Sequence, residues 1–324
     1  MSGLPGKTRA RDEVTRVVQS QKRVLARLGQ AALVVAIAYF VITSLRRSWA
    51  SIQGYAWEVR PEWLVLSAVA FVGFYLTQAL GWWFLLRGFE MRSPLPLATA
   101  TWAKSILARY LPGTVFMFVG RAWMCHAQGL PLDRVSAAMF YEQVLGVCSA
   151  LVALAVLFPF WEYRPSAMAF ALLALPLLIA VLHPRVFVPL ANVVLGWLRR
   201  PPLAVVLHFR GVVVLLAYYS TTWVFAGAGA WFLGKGTLNL AYGALPVVVA
   251  AYALAYVAGM VAFMIPSGIG VREAVLTASL VRFLPAGVAL AWALLLRVWV
   301  TVIELIFVAV AVALASVSDR WRRK

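Results

Sequence analysis

Acidic residues are scarce in this sequence: 11 Asp and Glu among 324 residues, against 29 Lys and Arg and only 3 His. Cysteine is scarcer still, with Cys125 and Cys148 alone. They form no metal or redox motif, so both are expected as buried free thiols. His126, His183 and His208 are scattered without ligand spacing, and no metal or cofactor site is expected. No Gly-x-Ser-x-Gly, His-Glu-x-x-His or P-loop occurs, and no low-complexity stretch stands out. No segment between the apolar runs is long enough for a catalytic domain, so an enzyme is not the first expectation.

Apolar residues are abundant. The chain is 64% hydrophobic and 12% charged, with a mean hydropathy of +0.88. A soluble protein of this size could not hide that much apolar surface, which predicts an all-α polytopic membrane protein. The apolar runs are continuous and lack period-two alternation, so a β-barrel is excluded. A net charge of +18 would point to nucleic acid in a soluble protein. Here the excess lies in tails and loops, where it marks the cytoplasmic side and attracts anionic headgroups, and no nucleic acid is expected. Lys7, Arg9, Arg11, Arg16, Lys22, Arg23 and Arg27 at one end, and Arg320, Arg322, Arg323 and Lys324 at the other, predict cytoplasmic termini in the cytoplasmic (inner) membrane. No small-residue cleavage site follows the first apolar run, which is expected to stay as an anchor.

Residues 1–28 predict a basic, loosely amphipathic interfacial segment, 29–315 one membrane domain, and 316–324 a basic tail. Full spans are expected at 29–45, 63–86, 135–158, 167–182, 211–233 and 286–314, with the run 186–198 lying on the surface. Trp63, Trp82, Trp83 and Arg87 read as an interfacial belt. The apolar stretches 96–124 and 241–281 are interrupted by Pro112-Gly113 and by Pro266-Ser267-Gly268. Proline ends or kinks a helix, and irregular backbone at membrane depth is tolerated only under cover of protein or water. Both stretches are therefore expected as re-entrant broken helices. The second holds 25 apolar residues at 241–265, long enough for a full crossing. Six spans plus two re-entrant elements satisfy the charge rule, and the order span, break, span recurs at 63–158 and 211–314. The two units start on opposite sides, which makes an inverted repeat with its site at the interface between them.

Charge clusters at the breaks. Arg109-Tyr110-Leu111-Pro112-Gly113 is followed by Gly120-Arg121, and Gly268-Ile269-Gly270 by Val271-Arg272-Glu273. Guanidinium forks beside exposed backbone N–H groups suit a phosphate. Arg109 and Arg121 could instead snorkel, and the Gly-x-Gly could be an interfacial turn. Glu142, Arg297 and Glu304 lie deep within spans, where an unpaired charge costs several kcal/mol. Pairing of Glu142 with an arginine of the breaks, and of Arg297 with Glu273, is expected across the two units. Tyr110 and Tyr141 either line the site or pack.

These residues, in this order, resemble the flippase-like membrane domain of bacterial lysylphosphatidylglycerol synthases. The likeness runs through the first motif, Glu142, and Ile265-Pro266-Ser267-Gly268-Ile269-Gly270-Val271-Arg272-Glu273, and covers about 25–315. Ser267 stands where many relatives have glycine. The resemblance implies lipid translocation. In two-domain synthases this domain moves an aminoacylated phospholipid that a soluble transferase makes. No transferase follows here, and standalone relatives are associated with polyprenyl-phosphate-linked sugars.

The expected function is therefore the flipping of a phosphate-bearing lipid between leaflets, a polyprenyl-phosphate-linked sugar or an aminoacyl phospholipid. The expected binding residues are Arg109, Tyr110, Pro112, Gly113, Arg121, Glu142, Pro266, Gly268, Gly270, Arg272, Glu273 and Arg297. Expected partners are membrane lipids, with a second copy or a lipid-synthesis enzyme as protein partners. The alternatives are a membrane enzyme or enzyme subunit acting on a lipid-phosphate donor, with Glu142 or Glu273 as base, and a scaffold that recruits a synthase.

Overall fold

A computed structural model describes residues 49–108, 115–160, 179–197, 207–262 and 268–322, with isolated positions at 39, 42, 43, 46, 173, 175–177, 202 and 265. Most of the expected first span, 29–45, and half of 167–182 lie outside the described residues. So do Arg109, Tyr110, Pro112, Gly113 and Pro266.

Among the described residues the chain is helical and has no strand. A short helix α1 (Trp49–Gln53) precedes α2 (Pro61–Gly88), α3 (Leu95–Leu107), α4 (Val115–His126) and α5 (Leu132–Leu157). Then come α6 (Pro184–Trp197), α7 (Phe209–Leu238), α8 (Leu245–Val261), α9 (Val271–Leu280) and α10 (Ala286–Arg322). Proline falls in the first turn of α2, α3 and α8, where its missing N–H breaks no helical bond.

Among the described residues five helices are long and apolar enough to cross a membrane: α2, α5 with its extension to Phe160, α7, α8 with the turn before it, and α10. A bent pair around His183 makes a sixth candidate. Four coincide with expected spans. α8 passes the same test although it belongs to the stretch expected to dip and return. The run 186–198 falls largely on α6, which packs one face on the bundle: Phe187 is 2% exposed and its ring centroid lies 4.1 Å from that of Tyr141, while Val186, Leu190 and Val193 stay exposed.

The packing exchanges the two units. α2 packs on α7, α3 on α10 as α8 on α5, α3 on α2 as α8 on α7, and α4 on α5 as α9 on α10. α2 and α7 run antiparallel. Ser67 Oγ donates to Gly229 O at 2.7 Å, while at the other end Tyr218 Oη donates to Thr77 O, also at 2.7 Å. α2 and α10 run parallel, with Trp299 Nε1 donating to Ser67 Oγ at 3.0 Å and Tyr75 Oη to Glu304 at 2.8 Å.

The arms of the first break fold back on each other. Arg121 Nε donates to Ser105 Oγ and Gln128 Nε2 to Thr101 Oγ1, both at 2.8 Å, so α3 and α4 form an antiparallel hairpin. With 13 and 12 residues, these arms reach about 20 and 18 Å at 1.5 Å per residue, short of a hydrocarbon core of about 30 Å. α9 packs back on α8 in the same way.

Close helix approach is what Gly227 provides. A Cβ there would stand 2.6 Å from Cα of Val249 in α8, which is backbone that cannot step aside. In contrast, Gly120 in α4 has nothing within 4 Å of a built Cβ. Gly227→Ala is thus expected to destabilise by about 1 to 3 kcal/mol through overpacking. Gly120→Ala is expected to stabilise by about 0.5 to 1 kcal/mol through helix propensity. Thermal unfolding in detergent of the two variants checks the opposite signs.

Candidate functional site

Four of the expected residues reach one cavity. Arg121, Glu142, Gly268 and Arg272 line a space of about 200 Å³ between the two units, on surfaces from α2, α3, α4, α5, α7, α8, α9 and α10. A smaller cavity of about 60 Å³ adjoins it, lined by Arg272, Glu273 and Arg297. Tyr252, Tyr256 and Val300 face both.

In each unit an ion pair joins the returning arm of the break to the following span, built the same way with the signs exchanged. In the first, Arg121 comes from the returning arm of the break and Glu142 from the following span. In the second, Glu273 comes from the returning arm and Arg297 from the following span. The expectation of pairing across the units is corrected: both pairs lie within a unit. The hairpin is the cause, because it lays the returning arm against the next span.

The first pair is deeply buried, with Arg121 2% and Glu142 7% exposed. Arg121 NH1 donates to Glu142 Oε2, and Trp102 Nε1 donates to the other carboxylate oxygen at 2.6 Å. The guanidinium carbon lies 4.8 Å from the ring centre of Trp82. Two burdens of burial are met here, since each charge has a countercharge and further hydrogen bonds. Arg121 is therefore not at the lipid interface. Trp82 is fully buried, which corrects its placement in an interfacial belt.

The second pair does two jobs. Gly268 and Gly270 have φ of +63° and +85°, the left-handed region that favours glycine, and so close the turn into α9. Glu273 Oε2 accepts from the Gly270 N–H at 2.6 Å, capping α9, while its other oxygen accepts from Arg297. Gly270 shapes the turn and does not line the cavity. Arg272 lies along Gly259 of α8, with its guanidinium carbon 5.4 Å from the ring centre of Tyr256.

Other deep groups were foreseen only in part. Glu304 is fully buried and accepts from Tyr75, whose ring faces the cavity. Tyr141 does not line the site; its hydroxyl donates to Leu182 O at 3.3 Å and its ring packs on Phe89 and Phe187. Lys104 is exposed and stays outside the cavity. Cys125 and Cys148 are buried free thiols. Sequence reasoning passed over Trp102, Tyr219, Gln78 and Tyr256, because aromatics and amides within apolar runs carry no sign of which face they occupy.

The chemistry on offer is anion binding. Among the described residues the charged ones lining the main cavity are Arg121, Glu142 and Arg272, one positive charge in excess, and the carboxylates that line the two cavities, Glu142 and Glu273, are held by arginines. A family model described as "Lysylphosphatidylglycerol synthase TM region" matches residues 27–318. No curated protein matches the chain.

Proposed function

We propose, for a chain that belongs to the lysylphosphatidylglycerol synthase transmembrane-region family, that it translocates a phosphate-bearing lipid between the leaflets of the cytoplasmic membrane. The chain is a multi-pass membrane protein. Antiparallel packing of the equivalent helices α2 and α7 supports an inverted repeat, and the α3–α4 hairpin supports a re-entrant element. Such repeats place a substrate site at their interface near the bilayer midplane.

The observation that carries the reading is the cavity at that interface with an excess of guanidinium charge. A headgroup phosphate would meet Arg272 there, with Arg121 behind it, while the acyl or prenyl tails stay in lipid. At about 200 Å³ the cavity is below the usual 300 to 1,000 Å³ of a drug-sized pocket, which fits a headgroup alone. The ion pairs Arg121–Glu142 and Glu273–Arg297 would hold each hairpin to its neighbouring span as the two units rock.

The enzyme alternative needs Glu142 or Glu273 as a base. Each carboxylate already accepts from a guanidinium and from a second N–H donor, so both of its oxygens are engaged within the protein. Reconstituted vesicles carrying a fluorescent lipid phosphate test the choice. Movement of the headgroup to the opposite leaflet, without change to the lipid, is expected. Chemical conversion of the lipid in detergent, with no movement in vesicles, would overturn the transport reading.

A further inference from the structure

One peptide occurs twice, at the end of the first span of each unit. Gly81-Trp82-Trp83-Phe84-Leu85-Leu86-Arg87-Gly88 closes α2, and Gly229-Ala230-Trp231-Phe232-Leu233-Gly234-Lys235-Gly236 forms the last turns of α7. Its glycines and tryptophans make the same contacts in both places. Tyr219 of α7 packs on Gly81, and Phe71 of α2 packs on Gly229. Trp83 Nε1 donates to Ser93 O at 3.0 Å and Trp231 Nε1 to Ala241 O at 3.2 Å, so each indole ties down the loop that leads into the next helix. Each loop turns at a residue of left-handed φ, Glu90 or Asn239.

The cation of the peptide is not spent in this way. Neither Arg87 nor Lys235 has an ion-pair partner among the described residues. The Arg87 guanidinium carbon lies 4.0 Å from the ring centre of Trp83, and Arg87 and Arg92 line a cleft of about 950 Å³. Glu90 lines it too, but pairs with Arg134 at 3.6 Å. Lys235 is 8% exposed; its Nζ lies 4.5 Å from the ring centre of Tyr242 and donates to Asn239 Oδ1 at 3.0 Å. Arg60 NH1 donates to the same oxygen at 3.2 Å, while its Nε holds Glu58. Two cations thus converge on one neutral acceptor. Rings and an amide position these charges without neutralising them, and a buried ammonium lacking a countercharge costs several kcal/mol. An anion from outside removes that cost. The start of the next helix, α3 or α8, adds N–H groups that favour it.

We infer that these two loops are matched docking sites for the phosphate of a lipid headgroup, one at each membrane surface. Arg87 and Arg92 receive it at one, Lys235 and Arg60 at the other. The antiparallel course of α2 and α7 puts the two sites at opposite ends of the pair. The inference rests on the lipid-phosphate reading above and adds where the headgroup sits before and after the central cavity.

Native mass spectrometry of the protein in detergent tests this, because it resolves bound lipids one by one. Phosphatidic acid should bind roughly tenfold more tightly than phosphatidylcholine at two positions besides the central cavity. Arg87→Gln and Lys235→Gln should each remove one of them, and the double variant both. Arg87→Lys and Lys235→Arg keep the charge and should keep the positions. Arg87 is exposed, so its variant decides the matter even where Lys235→Gln fails to fold. Equal binding of the two lipids, strong positions that survive Arg87→Gln, or inorganic phosphate bound as tightly as phosphatidic acid overturns the inference. Two positions lost as expected, with no headgroup movement in vesicles, leave these sites and sink the transport reading. Movement in vesicles with no preference for phosphatidic acid does the reverse.

Discussion

Glu142→Ala is expected to destabilise the folded chain by about 3 to 5 kcal/mol, because it strands a buried guanidinium without its countercharge. Arg121 is 2% exposed and cannot turn to water without opening α4 from α5. The variant also removes the acceptor of Trp102 Nε1, so two donors lose their partner at once. Replacing both charges together, Arg121→Met with Glu142→Leu, should recover most of the loss, since apolar pairs of similar volume often match a buried ion pair. Thermal unfolding in detergent of the single and double variants measures this. A single variant within about 1 kcal/mol of wild type would mean that Arg121 is hydrated and the first unit is not closed as described.

Arg272→Ala is expected to slow lipid translocation by about 10- to 100-fold, the loss of one charge-assisted contact of roughly 1.5 to 3 kcal/mol to a phosphate. Arg272 lines both cavities. Glu273, which caps α9 and holds Arg297, is untouched by the change, so folding should persist. Arg272→Lys should restore only part of the rate, because an ammonium cannot form the two-pronged contact of a guanidinium. Headgroup movement in vesicles, alongside unfolding of the same preparations, checks both. Full activity in Arg272→Ala would remove this residue from the site.

The sequence shows the fold class through its hydropathy, and the recurrence of span, break and span is matched by the contacts of α3 on α2 as α8 on α7 and of α4 on α5 as α9 on α10. The chemistry of the pairs was visible too, since Glu142 and Arg297 inside spans demand partners. Their geometry was not. Arg121 and Glu142 are 21 positions apart and Glu273 and Arg297 are 24, spacings that say nothing until the arms are known to fold back. Trp82 looked like interface because it neighbours Trp83 and Arg87, but its face of α2 turns inward under Arg121. Tyr219 and Gln78 were silent for a related reason: α7 and α2 are apolar on most sides, so periodicity does not mark the face toward the cavity. α8 is long and apolar enough to cross, the alternative that the 25 apolar residues of 241–265 already offered, and α9 packs upon it.

The central claim is that a lipid phosphate enters the space between the two units. The most direct test is a structure of the protein with a bound polyprenyl phosphate, read for the position of the phosphorus. The account predicts phosphate density within hydrogen-bonding reach of Arg272, inside the cavity that Arg121, Glu142 and Arg272 line. Lipid density confined to the outer faces of α2, α5 and α10, with that cavity holding no phosphate at saturating lipid, would contradict it.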